Sequence, residues 1–223
     1  MARVLSGLAF SLGLILVVLG QAELFTGCNL TVGAAALSRR LSLPRLLRQW
    51  LWCYLGNALG ALLVVALVLG SGLWQQAGGA FLTRAVGTAA AKASLPFWPT
   101  FLRGVGCNIL VCLGVYMATG ARDAGGKIAA MVFPVMGFVA MGFEHSVANM
   151  FFLPLGLWLN AITGAAQTGL TAWAALLGNL LPVTLGNITG GTLFIAGSYC
   201  WLFGAQSPAA SLSGPAATMG ERR

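Results

Sequence analysis

An all-α integral membrane fold, built as an inverted repeat of broken transmembrane helices, follows from three observations on this 223-residue chain. Hydrophobic residues make up 58% of it and charged residues 7%, with a mean hydropathy of +0.88, whereas a soluble domain carries about a quarter charged residues. Its apolar runs have lengths that fit a bilayer. A glutamate at the centre of one long run, followed in the next by Leu-Gly-Asn-x-x-Gly, occurs twice.

The apolar runs lie at roughly 4–37, 50–70, 98–118, 128–158 and 180–204. About 20 helical residues cross a bilayer, so the first and fourth runs are too long for one plain crossing. Glycine and polar residues at their centres mark them as broken helices. The first run, after Arg3, ends near Gly20-Gln21-Ala22 and mimics a secretory leader, but the residues just beyond it carry the repeat, so it is read as part of the fold. The stretch 71–97, with only Arg84 and Lys92 as charges, is expected to be a loop, and 165–179, with Trp173, an interfacial segment. The pore domain is therefore 1–206, and 207–223, rich in Ser, Pro, Ala and Gly, is expected to be a disordered cytoplasmic tail.

The net charge of +8 does not point to nucleic acid, because the basic residues sit in short loops between apolar runs. Arg39, Arg40, Arg45 and Arg48 crowd one loop, Arg122 and Lys127 another, and Arg222 and Arg223 the tail. With five crossings these regions share one side, which the positive-inside bias makes cytoplasmic. Cys28, Cys53, Cys107, Cys112 and Cys200 are an odd number in apolar surroundings, and read as free buried thiols with no metal-ligand spacing. No metal or cofactor is expected. Trp50, Trp52, Trp74, Trp98 and Trp201 lie near span ends and suit an interfacial belt.

The repeat carries the functional argument. The first copy holds Glu23-Leu24-Phe25-Thr26-Gly27-Cys28-Asn29 and then Leu55-Gly56-Asn57-Ala58-Leu59-Gly60; the second holds Glu144-His145-Ser146-Val147-Ala148-Asn149 and then Leu185-Gly186-Asn187-Ile188-Thr189-Gly190. Three crossings separate the copies and make them antiparallel, with a site near the midplane where the broken helices meet. The second repeat, about 98–206, has a leading helix and the first, 1–70, has none, so a first membrane helix is inferred to be missing from the amino terminus. Ionisable groups at membrane depth are costly and mark permeation paths, and His145 is the one histidine of the chain. The symmetric Glu23 and Glu144 are expected to be structural, accepting backbone N–H groups freed at the breaks. A membrane enzyme is disfavoured, since no second histidine, carboxylate-rich metal set or strained nucleophile accompanies His145.

Along nearly its whole length the chain resembles the formate/nitrite transporter family. The resemblance runs through Ala22-Glu23-Leu24-Phe25-Thr26-Gly27, Asn108 to Met117, Gly142 to Met150 and Pro182-Val183-Thr184-Leu185-Gly186-Asn187. It implies a homopentamer of aquaporin-like protomers, each with its own pore for a small monovalent anion, formate or nitrite foremost and hydrosulfide as an alternative. The family's six helices leave this chain short of the first, and a non-functional remnant is the competing reading. By motif position the resemblance makes His145 the central pore histidine and Thr26 its partner, with Leu24 and Phe25 beside it. Lys92 is then the lysine of the outer vestibule, Asn149 and Asn187 the pore-side asparagines, and Glu144 the structural carboxylate behind the histidine. Phe10, Leu14 and Phe138 would form the constrictions. The expected location is the bacterial inner membrane, with lipid and proton as the other partners.

Physical chemistry supplies a reason for the histidine. An anion in an apolar constriction faces a Born cost on the order of tens of kcal/mol in the idealised limit, and a proton removes most of it. Histidine, with an unperturbed pKa of about 6.5, is the side chain suited to lend one. The expectation is that Lys92 concentrates the anion, Thr26 and the asparagines hold it, and His145 protonates it for passage.

Overall fold

The computed structural model describes residues 1–164 and 169–203. The tail expected at 207–223 and the start of the 165–179 segment lie outside the described residues. Eight helices run through the described residues: α1 (Ala2–Leu19), α2 (Phe25–Leu37), α3 (Leu43–Gly70), α4 (Ala80–Ala93), α5 (Phe97–Gly120), α6 (Ala124–Met141), α7 (Ser146–Thr163) and α8 (Ala174–Phe203). Six of them, all but α2 and α4, are long and apolar enough to cross a membrane.

Both long runs break where their centres are polar. The first breaks between α1 and α2 and the fourth between α6 and α7. Gly142 ends α6 with a left-handed φ of 72°, a conformation that favours glycine because it lacks a Cβ. The residues that start α2 and α7, Leu24 (φ −114°, ψ 125°) and His145 (φ −112°, ψ 118°), share one extended conformation.

Helices α1 and α6 run antiparallel in close contact. A Cβ on Gly7 would stand 2.8 Å from the Cα of Met136, and the Ser11 hydroxyl donates to the carbonyls of Gly7 and Val132 at 2.9 and 3.3 Å. The same logic joins α5 to α8. A Cβ on Gly186 would fall onto the carbonyl oxygen of Phe101, and one on Gly190 onto that of Val105. Small residues at this spacing let backbones touch, which is how membrane helices gain packing where lipid offers no hydrophobic drive.

Two expectations are corrected. The stretch 71–97 is not a plain loop but carries α4, whose sequence Ala-Phe-Leu-Thr-Arg-Ala-Val-Gly-Thr-Ala-Ala-Ala-Lys-Ala is rich in the best helix former. Ala85 and Ala89 on α4 meet Gly156 on α7 with no room for a larger residue, and Val86, Ala89 and Ala93 bury with Leu153, Leu155 and Leu159. The segment before the last span is likewise helical from Ala174, and α8 widens into π-helical turns at 174–180 and 189–197. Of the tryptophans, Trp52, Trp98 and Trp201 are exposed. Trp50 is instead buried, its indole N–H donating to the Cys28 carbonyl at 3.2 Å.

Candidate permeation site

His145 stands at the break between α6 and α7, and its two ring nitrogens have different partners. Nδ1 accepts the backbone N–H of Ala148 at 3.1 Å, capping α7, while Nε2 lies 3.0 Å from the Thr26 hydroxyl. An acceptor Nδ1 carries no proton, so the network assigns the neutral ring a proton on Nε2 that is donated to Thr26 Oγ1. The hydroxyl proton of Thr26 is then left over for another acceptor. Two helix breaks distant in sequence thus meet through one hydrogen bond.

Phe10, Phe138 and His145 pack ring against ring at that point. Phe138 stacks on His145 with centroids 5.9 Å apart, and Phe10 meets Phe138 edge-on at 5.8 Å and His145 at 6.4 Å. These three rings and Ala148 line two cavities at once, so they form the partition between them. One cavity, of 210 Å³, is apolar and adds Gly13, Leu14, Val17, Leu24, Val111, Val135 and Val147. The other, of 250 Å³, adds Lys92, Glu144, Asn149 and Thr88.

Lys92 donates to both carboxylate oxygens of Glu144, at 2.9 and 2.8 Å. Glu144 Oε2 also accepts from Asn149 at 2.7 Å and Asn179 at 3.4 Å, and Asn149 donates to Asn179 Oδ1 at 2.6 Å. A buried carboxylate persists only when paired and hydrogen-bonded, and this one has both. An ammonium has three donors, so Lys92 keeps one N–H beyond the two given to Glu144.

The structure spreads the expected site residues over different jobs. His145, Phe10, Leu14, Leu24, Phe138, Lys92, Glu144 and Asn149 line the two cavities. Thr26 is fully buried and reaches the site through His145. Phe25 lines neither cavity; it packs against Tyr54 and Trp50 with centroids 4.8 and 6.3 Å away. Asn187 also lines neither. Its Oδ1 accepts the Ser146 N–H at 2.9 Å, and its Nδ2 donates to the carbonyls of Glu144 at 3.1 Å and Gly104 at 2.8 Å.

Asn57 repeats this in the first half, accepting from Phe25 N–H at 2.8 Å and donating to the Glu23 carbonyl at 3.0 Å. The backbone groups freed at each break are therefore taken by the asparagines rather than by Glu23 and Glu144. Sequence reasoning assigned no role to Asn108, which ties α2, α5 and α8 together through the Thr26 carbonyl, Asn29 Oδ1 and the Asn187 carbonyl at 3.2, 3.0 and 2.6 Å. It also missed Asn179. The available signal was the same for both, a lone amide in an apolar run, which must find partners when buried.

Comparison with known proteins then decides the family. The family model described as formate/nitrite transporter matches residues 1–201. The chain belongs to the formate/nitrite transporter family. It is 40% identical to a probable formate transporter of Methanothermobacter thermautotrophicus, over 91% of this chain and 76% of that one. It is also 40% identical to the formate channel FocA of Escherichia coli (strain K12), over 89% and 73% of the two chains. Among solved structures it resembles a pentameric formate channel with formate bound, at TM-score 0.80 and 36% identity, over 91% of this chain and 83% of that one. This formate/nitrite transporter therefore has an aquaporin-like, all-helical fold, is an integral multi-pass membrane protein, and belongs among transporters and not enzymes.

Proposed function

We propose that this transporter passes formate, nitrite or a similar small monovalent anion across the membrane with a proton, through His145. The observation that carries the reading is the partition itself: an imidazole tied to Thr26 and walled by Phe10 and Phe138 separates a cavity with an ammonium from an apolar one. Because Lys92 is paired with Glu144, the pair contributes no net charge, and its remaining N–H attracts an anion at close range. Thr26 acts behind the ring, holding the imidazole in place through Nε2.

Protonation of Nδ1 releases Ala148 and costs about what a helix N-cap is worth, roughly 0.5–2 kcal/mol. The imidazolium, formed by a proton taken up onto Nδ1 from water on the entry side, passes that proton to the anion, the neutral acid crosses the rings, and the freed Nδ1 recaps α7. The titrating group is thus built into a helix terminus, which makes the ring's return to its resting position favourable.

The formate-bound pentameric relative supports a formate-like substrate and a homopentamer. The clustering of Arg39, Arg40, Arg45 and Arg48 supports an orientation with that loop in the cytoplasm and Lys92 toward the outside, in a bacterial inner membrane. Uptake of formate, nitrite and hydrosulfide into proteoliposomes, measured across a pH series, tests the reading. Wild-type flux is expected to rise as pH falls, and His145→Phe to lose that dependence and about a hundredfold of the flux, the scale of general acid catalysis at its low end. Retention of wild-type, pH-dependent flux by His145→Phe sinks the mechanism.

A further inference from the structure

We propose that Cys28, Cys53 and Glu23 form a binding site for a thiophilic divalent metal ion of the zinc class, clipping α2 to α3. The spacing of these residues along the chain gives no hint of it, since the ligands come from the first helix break, the first turns of α2 and the middle of α3. Among the described residues these three converge so that one ligand atom from each lies within 4.8 Å of the others.

The geometry suits such an ion. Cys28 Sγ is 3.6 Å from Cys53 Sγ, and an ion about 2.3 Å from each sulfur, the usual zinc–thiolate length, then subtends an S–metal–S angle of about 103°, close to tetrahedral. Glu23 Oε2 is 2.8 Å from Cys28 Sγ, which donates to it. Replacing that S–H proton by a metal asks the carboxylate to move out by less than an ångström, and Glu23 is exposed and free to do so. Both thiols are buried, and the exposed Glu23 carboxylate is the third ligand that closes the site from outside them.

Binding balances as one divalent ion plus two thiols giving a dithiolate complex and two released protons. The two thiolates cancel the ion's charge, so the complex keeps only the one negative charge that the Glu23 carboxylate brings. Cys28 lies two residues beyond Thr26 on α2 and its carbonyl already holds Trp50 of α3. An ion there would brace the helix turn that presents Thr26 to His145. The site rests on its own three ligands and not on the anion reading.

Cadmium titration of the purified full chain, phosphine-reduced and stripped by chelator, tests it through the ultraviolet thiolate-to-cadmium charge-transfer band. The band is expected to saturate at one cadmium per chain and to be displaced by zinc. Cys53→Val and Cys28→Ser are expected to abolish it, and Cys200→Ala to leave it unchanged. Glu23→Gln, which keeps the side chain's size and removes its charge, is expected to weaken affinity about 10- to 100-fold, no less than loss of an outer-shell partner does. Absence of the band in the wild type, its survival in Cys53→Val, or unchanged affinity in Glu23→Gln overturns the assignment.

Discussion

At the break before α2 the chain reads Glu23-Leu24-Phe25, and before α7 it reads Glu144-His145-Ser146. The backbone conformations match and each is pinned by its asparagine, Asn57 or Asn187, in the same way. What differs is the surroundings. Glu144 is enclosed with Lys92, Asn149 and Asn179, while Glu23 is exposed with a thiol for company. Gly186 and Gly190 press on the backbone of α5, while a Cβ on Gly56 or Gly60 would meet nothing within 4 Å among the described residues. Leu24 cannot cap α2, and His145 caps α7 with Nδ1. One backbone device thus has two settings: in the second half it is loaded with glycine packing and a paired charge, and in the first, among the described residues, it carries neither.

The sharpest way to break that contrast is at the carboxylates. Lys92→Met leaves the Glu144 carboxylate buried without its cation and is expected to cost about 3 kcal/mol or more. Glu23→Gln removes a carboxylate that has no cation partner among the described residues, and is expected to cost less than Lys92→Met, since it strands no buried charge. Thermal unfolding in detergent, followed by size-exclusion chromatography, compares the two; equal losses would mean that enclosure of Glu144 has no energetic weight.

The asparagines come next. Asn187→Leu strands the Ser146 N–H and the Gly104 and Glu144 carbonyls in the interior, at about 1–3 kcal/mol for a stranded group. Asn57→Leu, at a half-buried residue whose amide reaches an exposed carbonyl, is expected to cost the lower end of that range. Hydrogen exchange at Ser146 and Phe25 reads the two breaks separately. An equal rise in exchange at both would erase the asymmetry.

The smallest effects belong to the glycines. Gly186→Ala drives a methyl onto backbone atoms that cannot yield and is expected to cost roughly 1–3 kcal/mol. Gly56→Ala is expected to be neutral or stabilising by up to about 1 kcal/mol, the helix-propensity gain over glycine. A destabilised Gly56→Ala would show that something packs there.

The broken spans were legible because their signal is local. Glycine and a charge inside an apolar run report an interrupted helix wherever it packs, and the paired Leu-Gly-Asn motifs reported the repeat. α4 was not read as a helix although its alanines favour one, because fourteen residues holding Arg84 and Lys92 are too short and too charged to cross a bilayer, and the surface that Ala85 and Ala89 meet on Gly156 lies far along the chain. The candidate site divided in the same manner. His145, Glu144 and Lys92 stood out as ionisable groups in an apolar chain, whereas the work of Asn108 and Asn179 and the convergence of Cys28, Cys53 and Glu23 depend on which helices become neighbours.

Composition, run length and the duplicated motif by themselves determined a membrane fold, its helix breaks and the place of its one histidine at a break, because hydropathy and backbone hydrogen bonding act over a few turns of chain. Only the tertiary structure decided that Nδ1 of that ring caps α7 and Nε2 meets Thr26, that Asn187 serves the backbone and not a cavity, and that Lys92 pairs with Glu144. Those partners are 3, 119, 41 and 52 residues apart, and in all but the first a side chain's choice of partner across such a distance is settled by helix packing.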